Sequence, residues 1–400
     1  MSKVSPGVIA LLVALLSMLA PFTLDTYLPS FPDIQQDLGA TDAQMQQTLS
    51  YYLLAFGMMM LIYGPLSDAL GRKRVVVLAL MGYALASAAC AMAQTMDTLL
   101  WMRAAQGMAA GGGMVIGRAI VRDLFAGADA QQVMARVMLV FAIAPAVAPI
   151  VGGWLEALAG WRAVFWFLSG IGVVLTLCVA IWLPESLSKA HRQPLHLGDT
   201  LVAYGKLLTH RQFLPLALLF GVNFGGLFLY IAAAPHLIYD LLGYGVTDFW
   251  VLFIPAVAGI ILGSQWSGWV AHRWSAHQSI WVAMSLTSLA TLLNVLQAYF
   301  LPIHPLTAIA PVALYAMGMA LAMTPISLLA MDLFPLRKGM ASALQGFAQT
   351  TSNALIAAFL VSLLFGSLFE LALGMGGVLL LSWVLWWLYL RANAHRVKAT

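Results

Sequence analysis

The chain predicts an all-α membrane protein of twelve spanning helices arranged as two pseudo-symmetric six-helix bundles. Three observations predict it. Of the 400 residues 62% are hydrophobic and only 8% charged, whereas soluble domains carry roughly a quarter charged residues. The apolar residues fall into twelve segments, each near the ~20 residues a helix needs to cross hydrocarbon. The cations collect between alternate segments, which gives every span a direction.

In order, the segments are 8–30, 45–66, 75–94, 98–120, 133–157, 162–183, 213–234, 248–270, 277–298, 305–330, 339–365 and 370–390. The first follows Met1, Ser2 and Lys3. It is longer than a signal-peptide core and no small-residue cleavage pattern follows it, so it reads as a retained spanning helix. With the N-terminus inside, seventeen of the nineteen Lys and Arg residues lie on cytoplasmic loops or helix ends, from Arg72, Lys73 and Arg74 through Arg118, Arg122 and Arg136 to Arg391, Arg396 and Lys398. Asp33, Asp37, Asp42, Asp97, Glu156, Asp240, Asp248 and Glu370 mark the outer ends. Both termini are therefore expected in the cytoplasm. The polar stretch 185–212 reads as a cytoplasmic linker between an N-terminal bundle, 1–184, and a C-terminal bundle, 213–400.

Several function classes are excluded. The net charge of +4 sits at segment ends rather than in an aromatic-lined groove, so no nucleic-acid partner is expected. Cys90 and Cys178 fall inside apolar helices and read as small hydrophobes. The histidines, His191, His196, His210, His272 and His277 among them, show no paired metal spacing, and no phosphate loop or catalytic triad is present. No metal, cofactor or enzymatic activity is expected.

Polar residues within the spans carry the chemistry. Asp25 lies in the first helix, in the run APFTLDTYLPSFP. A carboxylate in hydrocarbon costs several kcal/mol and marks a functional position; it suits a group that loads and releases a proton. Pro21 and Pro29 flank it and free backbone groups beside a cavity. Arg103, in LLWMRAAQGMAAGGG, is the cation well inside a span. It sits about five residues, roughly 8 Å, below its outer end, a level close to that of Asp25, so the two are expected to be coupled directly or through substrate or water. Gln106 follows on the same face. Gln345, Gln349, Ser352 and Asn353 form a polar stripe on helix eleven, which must face protein or water; it either bonds neighbouring helices or lines a cavity. Asn223 and Tyr230 on helix seven are similar candidates, and Phe22, Tyr52 and Phe56 are candidate aromatic walls.

The run GPLSDALGRKR, Gly64 to Arg74, reads as a tight loop at the membrane surface. A weaker echo places Gly263 and Arg273 at the same separation after the second helix of the second half, with Ser267 where Asp68 maps. The run resembles the signature loop of the major facilitator superfamily, and Arg103, Gln106 and Gly107 resemble its helix-four motif. APIVGG, Ala148 to Gly153, is similar to the superfamily's antiporter motif, with Pro149, Gly152 and Gly153 matching and Ala135, Ala144 and Ala148 replacing glycines. Together with LDTYLPSFPDI, GWR at 160–162 and PES at 184–186, these resemble the bicyclomycin/chloramphenicol-resistance family of drug:proton antiporters.

The resemblance implies a monomeric, multi-pass protein of the bacterial inner membrane. It would export small amphipathic, phenicol-like compounds by alternating access in exchange for protons, with substrate bound near the midplane. Gly64, Asp68, Gly71, Arg72 and Arg74 would form its cytoplasmic latch. A carrier of a metabolite such as a nucleoside or sugar on the same fold is the alternative.

Overall fold

The computed structural model describes residues 5–192, 194 and 197–397; Lys3, His196 and Lys398 lie outside them. All of the regular structure described is helical. Two compact units divide the chain, residues 1–200 and 201–400, and the division falls inside the polar stretch between spans six and seven.

In the first unit, α1 (Pro6–Thr26) starts where the Ser5 hydroxyl accepts the Val8 N–H, with Pro6 pre-set for the first turn. It runs unbroken through Pro21 and ends at Thr26 rather than near 30. A 3₁₀ turn over Leu28–Ser30 and the short helix α2 (Phe31–Leu38) follow, because Pro29 and Pro32 remove the donors that continuation would need. The remaining spans are α3 (Asp42–Leu70), α4 (Arg72–Ala91), α5 (Met96–Leu124), α6 (Gly127–Ala159) and α7 (Trp161–Trp182). Thr41 and Gln44 form a capping box at the start of α3, and Thr95 caps α5. The helix α1 packs on α5 and α6, α3 on α5, and α4 on α5 and α7.

A 3₁₀ turn, Lys189–His191, and the helix α8 (Leu197–Leu208) occupy the linker. The second unit then contains α9 (Phe213–Ala232), the short α10 (Ala234–His236) continuing into a π-helical turn at Leu237–Leu241, α11 (Trp250–Val270), α12 (Ala276–Phe300) and α13 (Pro305–Asp332). Its eleventh span begins as α14 (Lys338–Leu355), passes through a π-helical turn at Ile356–Val361 and ends as α15 (Ser362–Leu364); α16 (Leu368–Val397) completes the unit.

Eleven helical runs among the described residues are long and apolar enough to cross a membrane. The twelfth span is α5, 29 residues long, whose Arg103, Gln106 and glycines lower its mean hydropathy without shortening it. Together these make the twelve-span fold the sequence predicts.

One expectation is corrected. The segment from Gly64 to Arg74 is not a loop: α3 continues to Leu70, only Gly71 leaves the helix, and α4 resumes at Arg72. Gly71 holds φ 102°, ψ 143°, backbone that L side chains rarely adopt, so one residue accomplishes the reversal.

Candidate functional site

Arg103 organises the site in the first unit. Its side chain is fully buried on α5, with the guanidinium carbon 4.0 Å from the Tyr27 ring centroid and 4.5 Å from that of Tyr52. Phe165 contributes a third ring at 5.9 Å. Cation–π attraction of this kind strengthens when the cation is desolvated. Nη1 donates to Gln106 Oε1 at 2.5 Å, and Gln106 Nε2 donates to Ser87 Oγ at 2.8 Å. Nε and Nη2 have no hydrogen-bond partner among the described residues. A buried guanidinium with idle donors is costly, which marks a group kept for use.

The cage around it is rigid. Thr48 donates to the Met45 carbonyl at 2.6 Å, so the Tyr27 hydroxyl, 2.5 Å away, donates to Thr48 Oγ1. Thr23 likewise donates to the Leu19 carbonyl, and Tyr83 donates to Thr23 at 2.6 Å. Tyr52 donates to the Ala20 carbonyl at 3.0 Å and stacks on Phe56. Tyr27, Ser87 and Phe165 therefore belong to the constellation, although sequence reasoning did not select them. Their signal was ordinary: aromatic or hydroxyl residues at helical spacing look like packing until the cation is placed among them.

Asp25 is 3% exposed on α1. Among the described residues its carboxylate makes no ion pair. A direct Asp25–Arg103 salt bridge, one of the two forms of coupling expected, is absent; the guanidinium is turned into the aromatic cage instead. Phe22, three residues earlier, lines an apolar cleft of about 460 Å³ with Met18, Leu19, Phe167, Ile171 and Leu175.

The motif on α6 grips the same end of α1. A Cβ on Gly152 would lie 1.7 Å from the Thr26 carbonyl oxygen, so only glycine admits this contact between helices. Pro149 lies one turn earlier within α6, and Gly153 is buried. One turn beyond, Glu156 accepts a hydrogen bond from Ser30.

At the other end of the unit, Arg72 is the hub. Its Nη1 lies 2.5 Å from Asp68 Oδ1 and 2.7 Å from Ser67 Oγ, while Nε donates to Asp123 Oδ2 at 3.1 Å. Its backbone N–H donates to Glu185 Oε1 at 2.9 Å, and Arg192 approaches Glu185 at 3.8 Å. The α3–α4 corner is thus tied to the ends of α5 and α7. Arg74 takes no part in these ion pairs. Asp123 was the missed partner; a short acid beside Arg122 reads as a helix-end charge until Arg72 is seen to reach it. A Cβ on Gly64 would meet nothing within 4 Å, whereas one on Gly263 would lie 2.1 Å from the Met317 carbonyl. The echo in the second half therefore packs helices, which its counterpart does not.

In the second unit, Asn223 Nδ2 donates to the Met319 carbonyl at 3.1 Å, joining α9 to α13. The Tyr230 hydroxyl accepts from Asn294 Nδ2 at 2.6 Å. Both side chains are buried and engaged within the bundle. Gln345 is 1% exposed, and neither end of its amide has a partner among the described residues; Asn353 Oδ1, two turns on, is likewise free. Gln349 and Ser352 are half-buried between them. Among the described residues no group of three acidic, His or Cys side chains could hold a metal ion.

The model of the Major Facilitator Superfamily matches residues 13–357. A bicyclomycin resistance protein homolog from Haemophilus influenzae is 30% identical over 91% of this chain and 89% of its own length. A chloramphenicol resistance protein from Pseudomonas aeruginosa is 30% identical over 78% of this chain and 74% of its own. The crystal structure of a bacterial homolog of the human lysosomal transporter Spinster, inward-facing and occupied, covers 96% of both chains with a TM-score of 0.74 at 14% identity, a likeness of fold. The chain belongs to the major facilitator superfamily of membrane transporters, in its bicyclomycin/chloramphenicol-resistance subfamily.

Proposed function

We propose that the protein exports small amphipathic antibiotics of phenicol or bicyclomycin type across the bacterial inner membrane in exchange for protons, as a monomer with both termini cytoplasmic. One observation carries the reading: among the described residues Asp25 is a buried carboxylate without an ion-pair partner, and the cation nearest it in role, Arg103, is caged apart with two donors that no described residue accepts. Ionisable residues within a membrane span mark ion and substrate pathways and proton relays. Protonation of Asp25 from outside releases the drug; deprotonation to the inside restores the anion and favours rebinding. The aromatic cage of the first unit suits a neutral or weakly charged compound. The Arg72 hub acts as the latch that holds the cytoplasmic end while the cavity faces outward. The bicyclomycin and chloramphenicol resistance relatives support the substrate class.

Uptake into inverted membrane vesicles under an imposed proton gradient tests this across a panel of phenicols, nucleosides and sugars. Gradient-dependent uptake of the phenicols is expected. Uptake confined to the metabolites would establish the carrier alternative.

A further inference from the structure

The Glu156 carboxyl is a second buried acid that the exchange cycle does not use. It lies on α6, 7% exposed, one turn past the Gly152 contact with α1. Oε2 receives the Ser30 hydroxyl proton, and Oε1 is buried with no donor to it among the described residues. Asp33, exposed on α2 and three residues past Ser30, is the neighbouring acid that acts on Glu156. The neighbouring charges are committed elsewhere: Asp37, one turn along α2, is bound by Arg162 and by Trp161 Nε1 at the start of α7. Asp25 lies on α1, five residues before Ser30.

Two neighbouring carboxyls repel when both are ionised, and the buried one takes up a proton more readily for it. Among the described residues no lysine or arginine pairs with Glu156 or Asp33, so a proton is the ligand that satisfies Oε1. A metal cation fits less well, because the Ser30 hydroxyl spends its hydrogen on Oε2 rather than turning a lone pair inward.

We propose that Glu156, oriented by Ser30 and with Asp33 beside it, binds one proton from the outer aqueous phase, a site separate from Asp25 that makes transport respond to external pH. Asp33 exposes the pair to solvent, and the buried Glu156 retains the proton beside the α1–α6 contact. The inference rests on the topology proposed above, which puts this end of α1 outside.

The test uses the reconstituted full-length protein with Glu156→Gln, which keeps an oxygen for Ser30, and Asp33→Asn. Difference infrared spectroscopy over a pH series reads the protonated-carboxyl band, and substrate exchange is measured against pH on each side separately. Glu156→Gln is expected to remove one titrating carboxyl and to shift the external-pH midpoint of transport by about half a unit or more; Asp33→Asn is expected to shift the titration of the remaining carboxyl. Infrared and pH profiles that superimpose on wild type would overturn the proposal, leaving Glu156 as a clamp on the 3₁₀ turn. Loss of the band on adding Na⁺ at fixed pH would also overturn it. Asp25→Asn separates the two readings: a normal proton exchange there defeats the Asp25 assignment, while the Glu156 band stands or falls independently.

Discussion

Gly152 on α6 lies so close to Thr26 on α1 that its missing Cβ would sit 1.7 Å from the Thr26 carbonyl oxygen. The contact fixes the C-terminal end of the helix that carries Asp25. Backbone cannot retreat as a flexible side chain can, so Gly152→Ala must push the two helices apart. Overpacking of this kind costs about 1–3 kcal/mol. A lower melting temperature in detergent and slower transport are expected, whereas Gly64→Ala, with open space at its Cβ, should melt like wild type.

Arg103 yields an opposite pair of effects. Its guanidinium is fully buried with two nitrogens unpartnered among the described residues, and an apolar chain of similar length removes the cost of desolvating that charge. Arg103→Met should therefore keep or raise the melting temperature while abolishing exchange. A variant that unfolds would show that the cation is a structural member of the cage.

The Arg72 hub predicts a loss of turnover without loss of insertion. Arg72→Lys cannot reach Asp68, Asp123 and Ser67 at once. Hydrogen bonds to charged groups contribute about 1.5–3 kcal/mol each, so a roughly tenfold slower transport rate per bond lost is expected, checked by initial rates normalised to the amount of membrane-inserted protein.

Asn223 separates a packing role from a substrate role. Its amide joins α9 to the Met319 carbonyl, so Asn223→Ala should cost about 1–2 kcal/mol of stability with the substrate profile unchanged. A changed profile at unchanged stability would return Asn223 to the cavity.

The fold was legible because spans announce themselves: each bilayer crossing demands an apolar run, and only α5 carries enough polar residues to blur one. Asp25 and Arg103 were legible for the converse reason, as charges in hydrocarbon. Their relation was not, since equal depth along two helices does not say which way a long side chain turns, and three aromatic rings drew Arg103 from Asp25. The Gly64–Arg74 run misled because turn-forming residues suggest a loop, while a single positive φ at Gly71 is enough. Gln345 and Tyr230 looked alike in sequence; whether a partner such as Asn294 lies across the helix is a tertiary fact. Glu156 read as one more outer acid because the depth of its carboxyl depends on how closely Gly152 lets α6 approach.

We assign the exchanged proton to Asp25, and proton movement coupled to substrate tests that most directly. Substrate added to inverted vesicles under a proton gradient should drive a measurable proton movement in the wild type and none in Asp25→Asn, whose permanently neutral side chain should also bind substrate more weakly. Substrate-driven proton movement of normal size in Asp25→Asn would contradict it.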